Sequence, residues 1–209
     1  MPSVSEIIVK YIREAIISGN IQEGEIIRQD QIAQLFNVSK IPVREALKQL
    51  EVEGFVEFRK NRGAMVSHIS LEELEQFFEI RLLLETQLIR LAIPRMTEDT
   101  FSLADQICNK FVNTMDSKHW TSLNWELHAC LYEPAQRAYM LKLVRTIYNK
   151  LERYLRMQMS FALEKNRAND EHRELIQACR DKNIDLSISL IEEHINGVQK
   201  SLYKKIPSY

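Results

Sequence analysis

The segment from Asn37 to Val56, NVSKIPVREALKQLEVEGFV, constrains this chain more than any other stretch. Val43, Ala46, Leu47 and Leu50 recur at helical spacing and build one apolar face. Ser39 stands where a side-chain oxygen can accept hydrogen bonds from the free amides of a first helical turn. Pro42 lies in that same turn, where a missing N–H costs little. Lys40, Arg44 and Lys48 fall at i, i+4 and i+8, a second stripe beside the apolar one. Gly54 ends the helix. Two β-rich pieces follow, Phe55 to Phe58 and Ala64 to Ser67, joined by Arg59-Lys-Asn-Arg-Gly63, a loop with hairpin chemistry. A helix that buries one stripe and shows cations on the next can dock on its own domain while touching phosphates and base edges. The segment therefore points to a DNA-binding regulator.

The upstream residues complete the unit. Ser3 and Glu6 have capping-box spacing, and Ile7, Ile8, Tyr11, Ile12, Ala15 and Ile16 form an apolar stripe, so a helix is expected from Ser3 to Ser18. Gly19-Asn20 ends it, Gly24 marks a turn, and a short helix is expected from Gln29 to Phe36. Helix, helix, helix, hairpin is a winged helix-turn-helix, spanning residues 1–69. The formal net charge of −1 does not oppose this. The cations Lys40, Arg44, Lys48, Arg59, Lys60 and Arg62 are concentrated in one place, the rest of the chain is acidic enough to offset them, and such a balance suits a specific binder better than a general nucleic-acid coater. Arg59 and Lys60 are equally readable as solubilising the hairpin.

After Ile69 the pattern becomes helical throughout. Ser70 and Glu73 again have capping-box spacing, and six helices are expected at roughly 71–93, 98–115, 118–133, 137–160, 170–181 and 184–204. Five glycines and five prolines in 209 residues favour such long helices. Residues 70–209 thus read as an all-α bundle, and the fold class is mostly α. No apolar run reaches membrane-spanning length, and the N-terminus has no signal-peptide pattern, so a cytoplasmic protein without membrane contact is expected. Cys108, Cys130 and Cys179 are widely spaced and odd in number, which suits reduced thiols.

Within the helical half, Asn124 and His128 stand at i and i+4 on one helix face. His172 and His194 lie on the last two helices, which should pack antiparallel. Three imidazoles and one oxygen from neighbouring helices make a usable divalent metal site, and imidazole-rich ligation suits Zn²⁺ or Ni²⁺. His68 and His119 match no motif. Arg81 and Glu85 are also at i and i+4, which on spacing alone is an ion pair on a solvated face.

The N-terminal half resembles the GntR superfamily of bacterial regulators. The residues carrying the match are Ile16-Ile-Ser-Gly19, Glu23-Gly24, Ile32-Ala33, Val38 through Leu47, Leu50-Glu51, Glu53-Gly54-Phe55-Val56 and Arg62-Gly63. The helical half resembles the FCD ligand-binding domain of the FadR subfamily, through Arg81-Leu-Leu-Leu-Glu85, Asn124-Trp-Glu-Leu-His128, Glu171-His172 and His194. Six helices rather than seven is similar to the VanR-type branch. The resemblance implies a homodimer, most simply a repressor, on an inverted-repeat operator. It implies DNA contacts by Ser39, Lys40 and Arg44, with Pro42 in the same turn and Lys48 further along, and by Arg62 and Gly63 at the wing tip. It implies a metal held by Asn124, His128, His172 and His194, and an effector carboxylate held by Arg81.

Departures from the family pattern are specific. Lys40 stands where Arg is usual, and Lys lacks the bidentate fork that reads guanine. Ile41 stands where Thr is frequent. Asp30 occupies the position of a basic DNA contact in some relatives, so no contact is carried over there. Asn124 replaces the usual Asp and offers only a neutral amide oxygen. That last change leaves open a DNA-binding dimer with a degenerate, empty pocket. A metal-dependent hydrolase is the remaining alternative, but no Glu or Asp accompanies the histidines in an HExxH-like motif, and the winged domain would go unexplained. The expectation is a regulator and not an enzyme.

Overall fold

The computed structural model describes residues 2–60, 62–116, 119–159 and 162–203. Asn61, Lys118, Ser160 and Lys204, which belong to expected loops or helix ends, lie outside them. The chain divides into two compact units, Met1–Ser70 with Asn149–Arg153 and Leu71–Tyr148 with Tyr154–Tyr209.

The first unit is built from α1 (Val4–Ile17), α2 (Gln29–Phe36), α3 (Lys40–Val52) and a hairpin of β1 (Val56–Arg59) and β2 (Gly63–Val66). The Ser3–Glu6 capping box forms, the Glu6 amide donating to Ser3 Oγ at 3.2 Å and the Ser3 amide to Glu6 Oε2 at 2.7 Å. Asn37 turns α2 into α3 in the left-handed region, φ 51°, which Asn tolerates better than most side chains. Gly54, at φ +85°, performs the same service after α3. Ile8, Ile12, Val43, Ala46, Leu47 and Leu50 interlock in the core as fully buried side chains. β1 and β2 pair antiparallel with Val56 opposite Val66 and Arg59 opposite Gly63. The segment after Gly24, expected only as a turn, runs along the free side of β2: Ile26 bridges Met65 and the Ile27 amide donates to Ala64 O at 2.9 Å.

Beyond Ser70 the chain forms α4 (Leu71–Ala92), α5 (Glu98–Asn113), α6 (Trp120–Tyr132), α7 (Ala138–Met159), α8 (Ala162–Arg180) and α9 (Ile184–Tyr203), with short 3₁₀ turns at Ile93–Arg95 and Glu133–Ala135; apart from Asn149–Arg153 of α7, these make up the second unit. α8 corrects the expected start at residue 170. The preceding Leu163, Glu164, Lys165 and Arg167 lack an apolar rhythm but are strong helix formers, and propensity extends the helix where periodicity is silent. α6 is the element that positions the chemistry. It buries Leu123, Leu127, Leu131 and Tyr132, and equally the polar Thr121, Asn124 and His128. Burying polar side chains on a central helix is costly unless they find partners, so these three mark a site. Cys108, Cys130 and Cys179 are free buried thiols, and burial pushes each up to about 11. No described helix is long and apolar enough to cross a membrane.

Candidate functional site

In the first unit the chemistry is on the surface. With Val43, Ala46, Leu47 and Leu50 fixed in the core, α3 must turn Lys40, Arg44 and Lys48 outward, and all three are exposed. Together with Ile41 and Glu45 they line a shallow cleft along the helix. A larger groove of about 590 Å³ is bounded by Arg28 to Gln31, by Lys40 and Arg44, and by Arg62 to Ala64 at the wing tip. The structure therefore brings Lys40, Arg44, Arg62 and Gly63 to one surface and adds Arg28, which the sequence reading missed. Arg28 precedes α2 in extended backbone, and nothing in the spacing of the recognition segment pointed to it. Arg44, Lys48 and Arg62 have no side-chain partner among the described residues. Lys40 instead pairs with Asp30 at 2.5 Å, and both are well exposed.

Ser39 occupies the N-cap position of α3, but its side chain makes no capping hydrogen bond. This corrects the expected cap, and Pro42 removes one of the two usual donors. An N-cap hydroxyl normally accepts from the second or third amide of the helix, and the third residue is Pro42, which has no N–H. The Ser39 hydroxyl is left exposed beside Lys40.

In the second unit the chemistry is internal. His128 on α6, His172 on α8 and His194 on α9 are all buried, and one nitrogen from each lies within 4.8 Å of the others. Their rings stand 4.9–5.2 Å apart, centroid to centroid. His194 directs Nδ1 to Glu171 Oε2 at 2.7 Å, which leaves its Nε2 for other work. Glu171 is itself held by Arg167 at 2.8 Å. His128 Nδ1 faces the Tyr132 hydroxyl at 3.1 Å. His128 Nε2, His172 Nε2 and Asn124 Oδ1 are buried with no hydrogen-bond partner.

These residues fit a divalent cation. Metal ligation needs neutral imidazoles with unused lone pairs and an outer shell that fixes ring orientation. Burial first, then the neighbouring imidazoles and, for His128, Arg81, pushes His128 and His172 well below the usual histidine range. An unpaired buried acceptor costs about 1–3 kcal/mol, so two such imidazole nitrogens in the cluster, with the Asn124 amide oxygen one turn before His128 on α6, are hard to retain without an occupant. Glu171 and Tyr132 supply the orienting outer shell, and neither was singled out for that task from sequence.

Arg81 is not on a solvated face. It is 1% exposed and Glu85 is fully buried, which overturns the simple surface-pair reading. Arg81 Nε donates to Glu85 Oε1 at 2.6 Å and Nη2 to the Tyr148 hydroxyl at 3.0 Å, while Nη1 has no partner. Burial opposes its charge, but Glu85, with Tyr148 and Tyr132, together more than compensates and holds the guanidinium above its ordinary value. Glu85 Oε2 accepts from Tyr132 at 2.8 Å, and Asn124 Nδ2 donates to the Tyr148 hydroxyl at 3.5 Å. A closed circuit results: His128, Tyr132, Glu85, Arg81, Tyr148, Asn124, and back along α6. His68 and His119 are exposed beside Glu23 and Asp116 and belong to neither site.

Known proteins divide in the same way. Residues 4–66 match the description "Bacterial regulatory proteins, gntR family", and residues 76–197 match the FCD domain. The gluconate operon transcriptional repressor of Bacillus subtilis is 25% identical over 90% of this chain and 80% of its own length. A solved transcriptional regulator of the GntR family from Pseudomonas syringae is 27% identical, with a TM-score of 0.59, covering 98% of this chain and 88% of that one. A solved GntR-type regulator from Rhodococcus sp. RHA1 shares 16% identity with a TM-score of 0.80, covering 99% of this chain and all of its own, a likeness of fold.

Proposed function

Since this chain belongs to the GntR family of bacterial regulators and bears an FCD domain, we propose that it represses transcription as a homodimer whose hold on DNA is set by a small acid. It is a DNA-binding transcriptional regulator and not an enzyme. The operator is an inverted repeat, because a two-fold dimer presents two copies of α3 to successive major grooves. Lys40 and Arg44 reach phosphates and base edges, with Ser39 and Pro42 in the contacting turn and Lys48 further along the backbone. Arg62 and Gly63 bring the wing tip to the flanking groove. Gly63, at φ +78°, has nothing within 4 Å of where a Cβ would stand, so the tip can approach DNA closely.

In the helical unit, His128, His172 and His194 hold a divalent ion, Zn²⁺ or Ni²⁺, with Asn124 Oδ1 as the fourth ligand. The ion supplies a positive centre beside Arg81 to which an acid's carboxylate binds. Arg81 keeps its charge through Glu85 and offers Nη1 to that carboxylate. The observation that carries this reading is the set of buried, unpartnered polar atoms, Arg81 Nη1, Asn124 Oδ1, His128 Nε2 and His172 Nε2. An acid that prefers one arrangement of the bundle biases the spacing of the two DNA-binding units, and half-site spacing is geometrically strict.

Gel shifts with the full-length protein and duplexes from upstream of adjacent genes test the DNA half. Binding is expected to fail in Lys40→Ala and Arg44→Ala, and sequence-specific binding that survives both breaks the residue assignment. Elemental analysis after purification, with thermal shifts against short carboxylates, tests the sensing half. Asn124, in place of a carboxylate, supports the second reading of an empty pocket, and that reading wins if no metal is found and no acid shifts the transition.

A further inference from the structure

Five glycines occur in the chain, and four of them, Gly19, Gly24, Gly54 and Gly63, have the left-handed backbone that turns require. The fifth, Gly197, lies inside α9 and has no such use. Glycine in a helix interior is less stable than alanine, so the missing side chain calls for another reason. That reason stands on α8. A Cβ at Gly197 would lie 2.6 Å from Arg167 Nη1, far inside van der Waals contact. The same nitrogen donates to Glu171 Oε1 at 2.8 Å. The other oxygen, Glu171 Oε2, meets His194 Nδ1 at 2.7 Å. The guanidinium thus rests in the notch left by Gly197 and fixes one end of a carboxylate whose other end fixes an imidazole.

Arg167 and Glu171 are one turn apart on α8, as are His194 and Gly197 on α9, so each helix offers neighbouring positions of one face to the other. His194 is 4% exposed, and with Nδ1 committed to Glu171 it has Nε2 to offer the cluster with His128 and His172. We infer that Gly197 and Arg167 are positioning residues for the metal site: the bare backbone of α9 seats Arg167, Arg167 sets Glu171, and Glu171 sets the tautomer and ring angle of His194. This rests on the metal-binding reading above and extends it two residues outward. As a mere ion pair the contact would do little, because the Arg167 and Glu171 side chains are 36% and 28% exposed and such pairs add little to stability. An orienting partner of a metal-binding imidazole matters far more, and it acts on affinity rather than on folding.

The test sets the full-length protein against a chromophoric chelator for Zn²⁺, with thermal unfolding of the metal-stripped protein alongside. Gly197→Ala is expected to weaken Zn²⁺ binding roughly threefold to tenfold, short of the 10- to 100-fold of losing an outer-shell partner outright. The metal-free protein should keep its Tm or gain up to about 4 °C, because alanine is the better helix former. Arg167→Met keeps an apolar stem and deletes the donors, and it should weaken Zn²⁺ binding by the same factor. Adding Gly197→Ala to Arg167→Met should then cost nothing more, since the notch has no guanidinium left to seat. Three results overturn the inference and leave the metal-binding reading standing: unchanged affinity in Gly197→Ala, a loss of affinity matched by a fall in metal-free Tm, or losses that multiply in the double variant. A wild-type protein that takes up no Zn²⁺ overturns both.

Discussion

The two units each contain an acid–base pair on or beside a functional helix, and the contrast between them organises the molecule. Lys40 and Asp30 meet in the first unit with side chains 60% and 73% exposed. Arg81 and Glu85 meet in the second at 1% and 0%. Every buried polar or charged residue among those described, from Arg81 and Glu85 to His194, belongs to the helical unit. The winged unit has an apolar interior and keeps its cations outside, where they are free to meet a polyanion. The helical unit does the reverse: it maintains charge and unsatisfied polarity inside, at a cost that the proposed internal ligand would recover. Recognition of a large partner calls for surface chemistry on a rigid core. Recognition of a small one calls for a polar interior.

The largest effect should come from breaking the buried pair. Arg81→Ala strands the Glu85 carboxylate and should lower stability in denaturant unfolding by about 3–5 kcal/mol. Replacing both residues, Arg81→Met with Glu85→Leu, should recover much of that loss while abolishing acid binding. If the double variant is no more stable than the single, the circuit through Tyr132 and Tyr148 rather than the pair alone holds the core. Next comes the outer shell of the proposed metal site. Tyr132→Phe removes the partner of His128 Nδ1 and of Glu85 Oε2 and should weaken Zn²⁺ binding about 10- to 100-fold in a chelator competition. An unchanged affinity would show that the ring of His128 is oriented by packing instead.

Legibility from sequence follows the same divide. The winged unit was readable because its pattern is local: Val43 to Leu50 set one face of α3, and Lys40, Arg44 and Lys48 then had nowhere to go but outward. The three histidines were also readable, because they stand at positions of the FCD resemblance that His68 and His119 do not share. What escaped was whatever depended on partners brought together by tertiary packing. Glu85 reaches Tyr132 across 47 residues and Arg81 reaches Tyr148 across 67, so i, i+4 spacing alone made a buried circuit look like a surface pair. Thr121 escaped because an ordinary polar residue on a helix signals nothing until its burial and missing partner are known. Within the winged unit itself, the absent Ser39 cap goes with one local fact, the lack of an N–H on Pro42, which leaves the Ile41 amide as the one remaining donor of the usual pair. Ile26 joined to β2 required the hairpin to exist first.

A third prediction concerns the outward cations. Arg44→Ala should reduce operator affinity by about 1–3 kcal/mol in fluorescence anisotropy. Thermal stability should change by no more than about 0.5 kcal/mol, since an exposed side chain without a partner contributes little to the fold. A matching loss of stability would mean that Arg44 supports the fold rather than reading DNA, and the division between the units would weaken.

The smallest effect returns to the exposed pair. Asp30 lines the groove with Lys40, Arg44 and Arg62, so its carboxylate repels the phosphates that those cations attract. Asp30→Ala should leave stability within about 0.5 kcal/mol, as expected of a solvated ion pair. It should strengthen DNA binding modestly and steepen the salt dependence by about one counterion, because Lys40 is released to meet a phosphate. The sequence preference among half-sites should hardly change, since the released contact is a point charge without a bidentate fork. A large gain confined to one half-site sequence would instead mean that Lys40, once freed, reads a base. The exposed pair would then be a specificity device rather than a weak surface contact, and the surface chemistry of the winged unit would be as finely set as the interior of the helical one.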